Sequence, residues 1–134
     1  MSLRHALVLA LVASHAAFAS EPVLPAETQA GMNEAAGQQL RAAEAELERV
    51  LDALQTKHKG NPEALRRLRQ SQAAWVAYRE AQSELPWAPS QDNELGSVYP
   101  MCVANLKTHL TEARVQELRA LLTSEEGDVC ASHW

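Results

Sequence analysis

Aromatic residues make up only 4% of this 134-residue chain, too few to supply the core that β-sandwiches and barrels build from aromatic and β-branched side chains. Cysteine occurs twice, at Cys102 and Cys130, without the close spacing of a redox or zinc motif. The five glycines are scattered, so no loop suited to cradling phosphate exists. The histidines are scattered as well, and no pair stands at the i, i+4 spacing of a helical metal site. Positive charge is in deficit: 12 Lys and Arg face 17 Asp and Glu, a net charge of −5. An acidic surface argues against nucleic acid and against stable association with anionic membranes. No apolar run approaches the ~20 residues needed to cross a bilayer.

Catalytic arrangements are missing too. Glu44/Glu48 and Glu80/Glu84 recur at helical spacing, which in an acidic helix reads as a solvated face rather than an acid–base pair. Asp92-Asn93-Glu94 lacks the alternating ligands and distant glutamate of a calcium loop. The chain reads as a non-enzyme with no cofactor and no metal.

What is present begins at the N-terminus. Arg4 and His5 precede an apolar stretch, Ala6 to Ala13, and the segment closes on Ala17-Phe18-Ala19. A short charged region, an apolar core and a small-x-small site describe a cleaved secretory signal over residues 1–19. No cysteine follows the cleavage point to carry a lipid, so a free protein is expected outside the cytoplasm, in the periplasm of a Gram-negative bacterium. Arg4 is the one charged residue removed, which makes the remaining chain still more acidic.

The rest reads as helix. Residues 20–27 form an extended lead-in, because Pro22 and Pro25 oppose a helix. From Thr28 the apolar residues Leu40, Ala43, Leu47, Val50, Leu51 and Leu54 recur at three and four, with Arg41, Glu44, Glu48, Arg49 and Asp52 opposite. Lys57, His58 and Lys59 suit the negative end of the helix dipole, and Gly60 can supply a left-handed stop. Asn61-Pro62-Glu63 gives an N-cap, a first-turn proline and a favourable charge for a second helix ending near Leu85. The short connection makes these two helices an antiparallel hairpin. Pro86 and Pro89 open a loop of about fifteen residues, a length associated with function. Pro100 fits the first turn of a third helix carrying Val103, Leu106, Leu110, Ala113, Leu118 and Leu121, and residues 124–134 form a polar tail. The expected fold is all-α: a small three-helix bundle over residues 28–123, a helical hairpin plus a third helix, with a long loop between helices two and three.

Two cysteines in an exported chain suggest one disulfide, Cys102 with Cys130. The alternative is a pair of free or intermolecular thiols. A third helix of about twenty residues spans ~30 Å, and the tail must return nearly extended at ~3.3 Å per residue. The bond therefore requires that helix to end by about Leu122.

One constellation stands out. Trp75 and Arg79 share a face one turn apart, beside Glu80, while Thr111 and Arg114 occupy the third helix. Arg114 is suited to pair with Glu80 or to stack on an aromatic ring, and the plain reading is a core tryptophan with a partly buried ion pair. Thr28-Gln29-x-x-Met32-Asn33, Gln72-x-x-Trp75-x-x-Tyr78-Arg79-Glu80, Gly96-Ser97, Thr111-x-x-Arg114 and Glu126-Gly127-Asp128-x-Cys130, in this order, resemble the LprI-type lysozyme-inhibitor family. The resemblance implies a small secreted helical protein in which Trp75, Arg79, Glu80, Gly96, Thr111 and Arg114 are motif residues, structural in character. Members of that family often carry cysteines where this chain has Ala35, Ser83 and Leu106, so its disulfide framework is thinner.

Two functions compete. In the first, the acidic chain inhibits a cationic lysozyme, drawn to it by charge. The long loop, with Asp92, Glu94, Ser97 and Tyr99, is then the partner-binding element, and Lys57, Lys59, Arg66, Arg67 and Arg69 lie at the far end. In the second, the chain is an interaction or scaffolding module for another envelope protein, with Trp87 and Trp134 as candidate anchors.

Overall fold

A computed structural model describes Pro25, residues 27–87 and residues 96–123. The segment read as a secretory signal, together with Asp92, Glu94, Cys130 and Trp134, lies outside the described residues. Three helices account for nearly all of the rest: α1 (Gln29–Lys57), α2 (Pro62–Glu84) and α3 (Tyr99–Leu122), with a short 3-10 turn at Leu85–Trp87 after α2. None is long and apolar enough to cross a membrane.

Local chemistry sets the helix starts. Thr28 holds an extended backbone and its Oγ1 accepts from the Gly31 N–H at 3.0 Å, satisfying one of the donors that a helix N-terminus leaves free. Asn61 does the same for α2, its Oδ1 accepting from the Ala64 N–H at 3.0 Å ahead of Pro62. Pro100 falls in the first turn of α3, as expected. Gly96 turns the chain with φ 65°, but Val98 is the cap residue and offers no side-chain hydrogen bond. Tyr99, read from sequence as a loop residue, is the first residue of the helix.

The end of α1 also departs from the sequence reading. Gly60 does not adopt a left-handed backbone; Gly96 is the positive-φ glycine among the described residues. The helix stops at Lys57, two residues before the basic cluster ends. His58 N–H donates to the Leu54 carbonyl at 3.0 Å, Lys59 N–H to Thr56 and Asn61 N–H to His58. These bonds close the turn within right-handed geometry and leave the glycine nothing to do.

The helix directions follow from contacts at the two ends. Asn33 Nδ2 donates to the Ser97 carbonyl at 3.1 Å, and Lys57 Nζ donates to the Leu121 carbonyl at 2.8 Å. Helices α1 and α3 are therefore parallel, and α2 runs back between their ends as the antiparallel member. The hairpin direction is as expected, yet the main packing seam joins α1 to α3, with a thinner one between α2 and α3. The core explains this. Leu47, Val50 and Leu54 of α1 meet Val115 and Leu118 of α3, whereas α2 adds only Leu68 to the buried cluster. Leu51, Trp75, Leu121 and Leu122 pack around it. Val76 of α2 is exposed.

Leu54 is 0% exposed at the centre of this core and Leu85 is 67% exposed. Leu54→Ala should cost about 2–5 kcal/mol by removing buried contacts and leaving a cavity, while Leu85→Ala should stay within about 0.5 kcal/mol. Urea unfolding of the two variants checks the difference.

Candidate functional site

The motif residues gather in two places. The first is the waist of the bundle, around Arg79. Its Nη1 donates to Glu44 Oε1 of α1 at 2.9 Å and to Thr111 Oγ1 of α3 at 3.2 Å. Its Nε donates to Glu80 Oε1 at 3.1 Å. One guanidinium thus joins all three helices, with its side chain only 13% exposed. Five donors in a planar fork make arginine able to serve three acceptors at once, which a lysine ammonium does less well.

Trp75 lies between two cations. The Arg79 guanidinium is 5.2 Å from the ring centroid and that of Arg114 is 6.0 Å away, within the range of cation–π attraction. Arg114 stacks as anticipated, but its ionic partner is Glu117 at 3.0 Å, not Glu80. Its Nη2 also donates to Ser71 Oγ at 2.8 Å, fastening α3 to α2. Glu80 is instead taken by Lys107, about two turns nearer the start of α3. The Lys107 ammonium and the Arg79 guanidinium hold the Glu80 carboxyl below the usual carboxylate range.

Glu44 and Lys107 are the members that the sequence does not reveal. Helical spacing puts Glu44 on the solvated side of α1, but it sits at the flank of the apolar stripe, beside Ala43, where a long side chain reaches inward. Thr111 and Ser83 are fully buried yet satisfied: Thr111 Oγ1 donates to the Lys107 carbonyl at 2.7 Å and Ser83 Oγ to the Glu80 carbonyl at 2.9 Å. With its buried hydroxyls and its guanidinium bonded, the constellation is a clasp across the three helices. No group of three or more His, Cys, Asp or Glu among the described residues is placed to hold a metal ion.

The second gathering is at the loop end, where α1 and α3 begin and α2 finishes. Tyr99 donates its phenol proton to Glu84 Oε2 at 2.8 Å, which pushes the Tyr99 pKa up. The Tyr99 ring meets Trp87 edge-on with centroids 5.5 Å apart. Trp87 is therefore a half-buried packing residue, not the exposed anchor suggested by its position outside the helical stripes. The Asn33–Ser97 bond ties the start of α1 to the turn before α3, and Gln29 supports it by donating to Asn33 Oδ1 at 2.9 Å. Around this fixed corner Met32, Leu85 and Val98 are exposed. Of the predicted partner-binding residues, the structure places Ser97 and Tyr99 here.

The two clusters hold, in space, motifs that the chain carries in a fixed order. The family model described as "Lysozyme inhibitor LprI" matches residues 21–118. The chain belongs to that family. Among its relatives is an uncharacterized protein of Rhizobium meliloti strain 1021, 36% identical over 112 residues, a match covering 75% of this chain and 78% of the relative. No solved structure matches. Positions 83 and 106 hold a fully buried serine and a partly buried leucine.

Arg79→Ala should lower stability by about 2–3 kcal/mol, because Glu44, Glu80 and buried Thr111 lose a shared donor, and Arg79→Lys should recover less than half of that. Glu80 has its pKa lowered by folding, so its contribution is present above the unfolded value of about 4.3 and is lost as pH falls through the folded value. Lys107→Gln, which removes the larger cause, should make the acid decline shallower. Urea unfolding followed over about four pH units below neutrality tests both points.

Proposed function

We propose that the protein is an exported, non-enzymatic inhibitor that docks on a cationic lysozyme through the loop end of the bundle. The observation that carries this reading is the composition of that end. Three of the five exposed large hydrophobic residues among those described, Met32, Leu85 and Val98, surround the Tyr99–Glu84 hydrogen bond and the Trp87 ring. Leu85 and Val98 flank, in sequence, the segment containing Asp92 and Glu94. Apolar side chains beside carboxylates on a rigid base suit a basic protein partner: burial supplies affinity and charge speeds encounter. The opposite end is the wrong sign for such a partner. Lys57, Lys59, Arg66, Arg67 and Arg69 cluster there, with Arg66 and Arg67 sharing Glu63. The waist, with its polar groups internally satisfied, supports the docking end without touching the partner. The family name supports the target class, and the secretory pattern of residues 1–19 supports a location where such enzymes act.

Lysozyme turnover of a cell-wall substrate, measured with increasing amounts of the protein at low and physiological salt, should fall and saturate near one-to-one. Asp92→Lys with Glu94→Lys should weaken inhibition by about tenfold or more and flatten its salt dependence. Val98→Asp should weaken it at both salt concentrations. No inhibition by a folded sample at either salt removes this reading and favours an envelope-protein partner.

A further inference from the structure

The two most exposed large hydrophobic residues among those described are Leu85, at 67%, and Tyr78, at 53%. Leu85 caps α2 with a right-handed helical backbone, so the two side chains stand about two turns apart on one face. Ala74 and Ala81 are exposed as well and complete the series 74, 78, 81, 85. Its steps of four, three and four are those of a coiled-coil seam. Leu68, Trp75 and Arg79, which hold α2 to the other helices, lie on a separate face. The seam is therefore additional to the packing that α2 already makes, and nothing described covers it.

Charge identifies the occupant. Exposed Arg66 and Arg67 flank the seam near the start of α2, and exposed Glu84 flanks it at the end. Glu63 offsets only one of the two arginines, and the last turn of α2 holds no basic residue. An acid at a helix C-terminus works against the helix dipole, so α2 alone gains nothing from Glu84 there. A second α2 laid antiparallel does gain. With a two-fold axis crossing the seam between Ala74 and Tyr78, Arg66 falls opposite Glu84 of the partner subunit. The two lie on the same flank, because positions 66 and 84 are about five whole turns apart. Tyr78 falls opposite Ala74 of the partner subunit, so each ring meets a small residue. A parallel pair would set arginine against arginine and ring against ring. We propose that a second copy of this chain covers the seam, in an antiparallel α2–α2 contact with two-fold symmetry.

The size of the contact sets its strength. From Arg66 to Glu84 it is about 27 Å long and about one helix wide. Such a strip buries less than the roughly 1,200 Å² of the smaller stable interfaces, which makes the pair weak and reversible. The chain is monomeric at low micromolar concentration and pairs at roughly 0.1 mM and above. Leu85 also belongs to the loop end, but the pairing rests on α2 alone and not on the lysozyme reading.

Sedimentation velocity from about 10 µM to about 1 mM tests the pairing, with the protein kept reduced so that cysteine cross-links do not form. The sedimentation coefficient should rise from the monomer value toward that of a dimer and level there. A monomer throughout overturns the proposal. So does growth beyond the dimer, because a two-fold contact closes on itself. Tyr78→Glu and Ala74→Glu should each weaken association by at least about tenfold. Both side chains are exposed, so helix content and the urea midpoint at about 10 µM should stay those of the parent. Association as strong as the parent's in both variants overturns the seam. Arg66→Glu should weaken pairing by about fivefold or more, and adding Glu84→Arg should restore it. No loss, or a loss that the second change does not restore, overturns the antiparallel arrangement.

Discussion

The bundle depends on one guanidinium reaching three helices. Apolar burial makes up the centre of the α1–α3 seam, through Leu47, Val50 and Leu54 against Val115 and Leu118. Helix α2 brings little to that core beyond Leu68 and the edge of Trp75, and an amphipathic helix with so narrow a buried stripe is weakly docked by hydrophobicity. Arg79 compensates by meeting Glu44 on one side and Thr111 on the other, while Arg114 and Lys107 add links from α3 to Ser71 and Glu80. These bonds are directional, so they fix where α2 sits along the seam, which non-directional burial does not. The buried hydroxyls of Thr111 and Ser83 are tolerated because each is hydrogen-bonded.

From the waist the constraint passes to the loop end. Once α2 is set in height, Glu84 and the Leu85–Trp87 turn arrive opposite the start of α3, where Tyr99 bonds the one and packs on the other. Asn33 then secures the turn at Ser97 from the α1 side. The exposed apolar residues at this end are thereby carried on a fixed base.

The features legible in the sequence are those with local determinants. Thr28 and Asn61 act on hydrogens three residues away, and Pro62 acts on its own backbone, so both helix starts can be read directly. Trp75, Arg79, Thr111 and Arg114 are legible as a set because their spacings place them on shared faces. Their partners are not. Glu44 stands at the edge of a helical stripe, where periodicity alone does not distinguish solvent from an arginine 35 positions away. Lys107 looks like any surface lysine until α2 brings Glu80 beside it. The seam between α1 and α3 is hidden for a related reason: a short connection reports the direction of neighbouring helices, not the width of the face they share. Gly60 misleads because a tight turn has more than one hydrogen-bonding solution.

The parallel pairing of α1 with α3 has a consequence for how the chain acquires its shape. The residues that meet across this seam are separated by about sixty positions or more, as the Asn33–Ser97 and Lys57–Leu121 hydrogen bonds illustrate. Closing so long a loop must precede most of the stabilising contact, which slows folding relative to bundles of sequential neighbours. The first two helices have almost nothing to hold them together on their own. The core that α1 shares with α3 therefore assembles only once α3 is present.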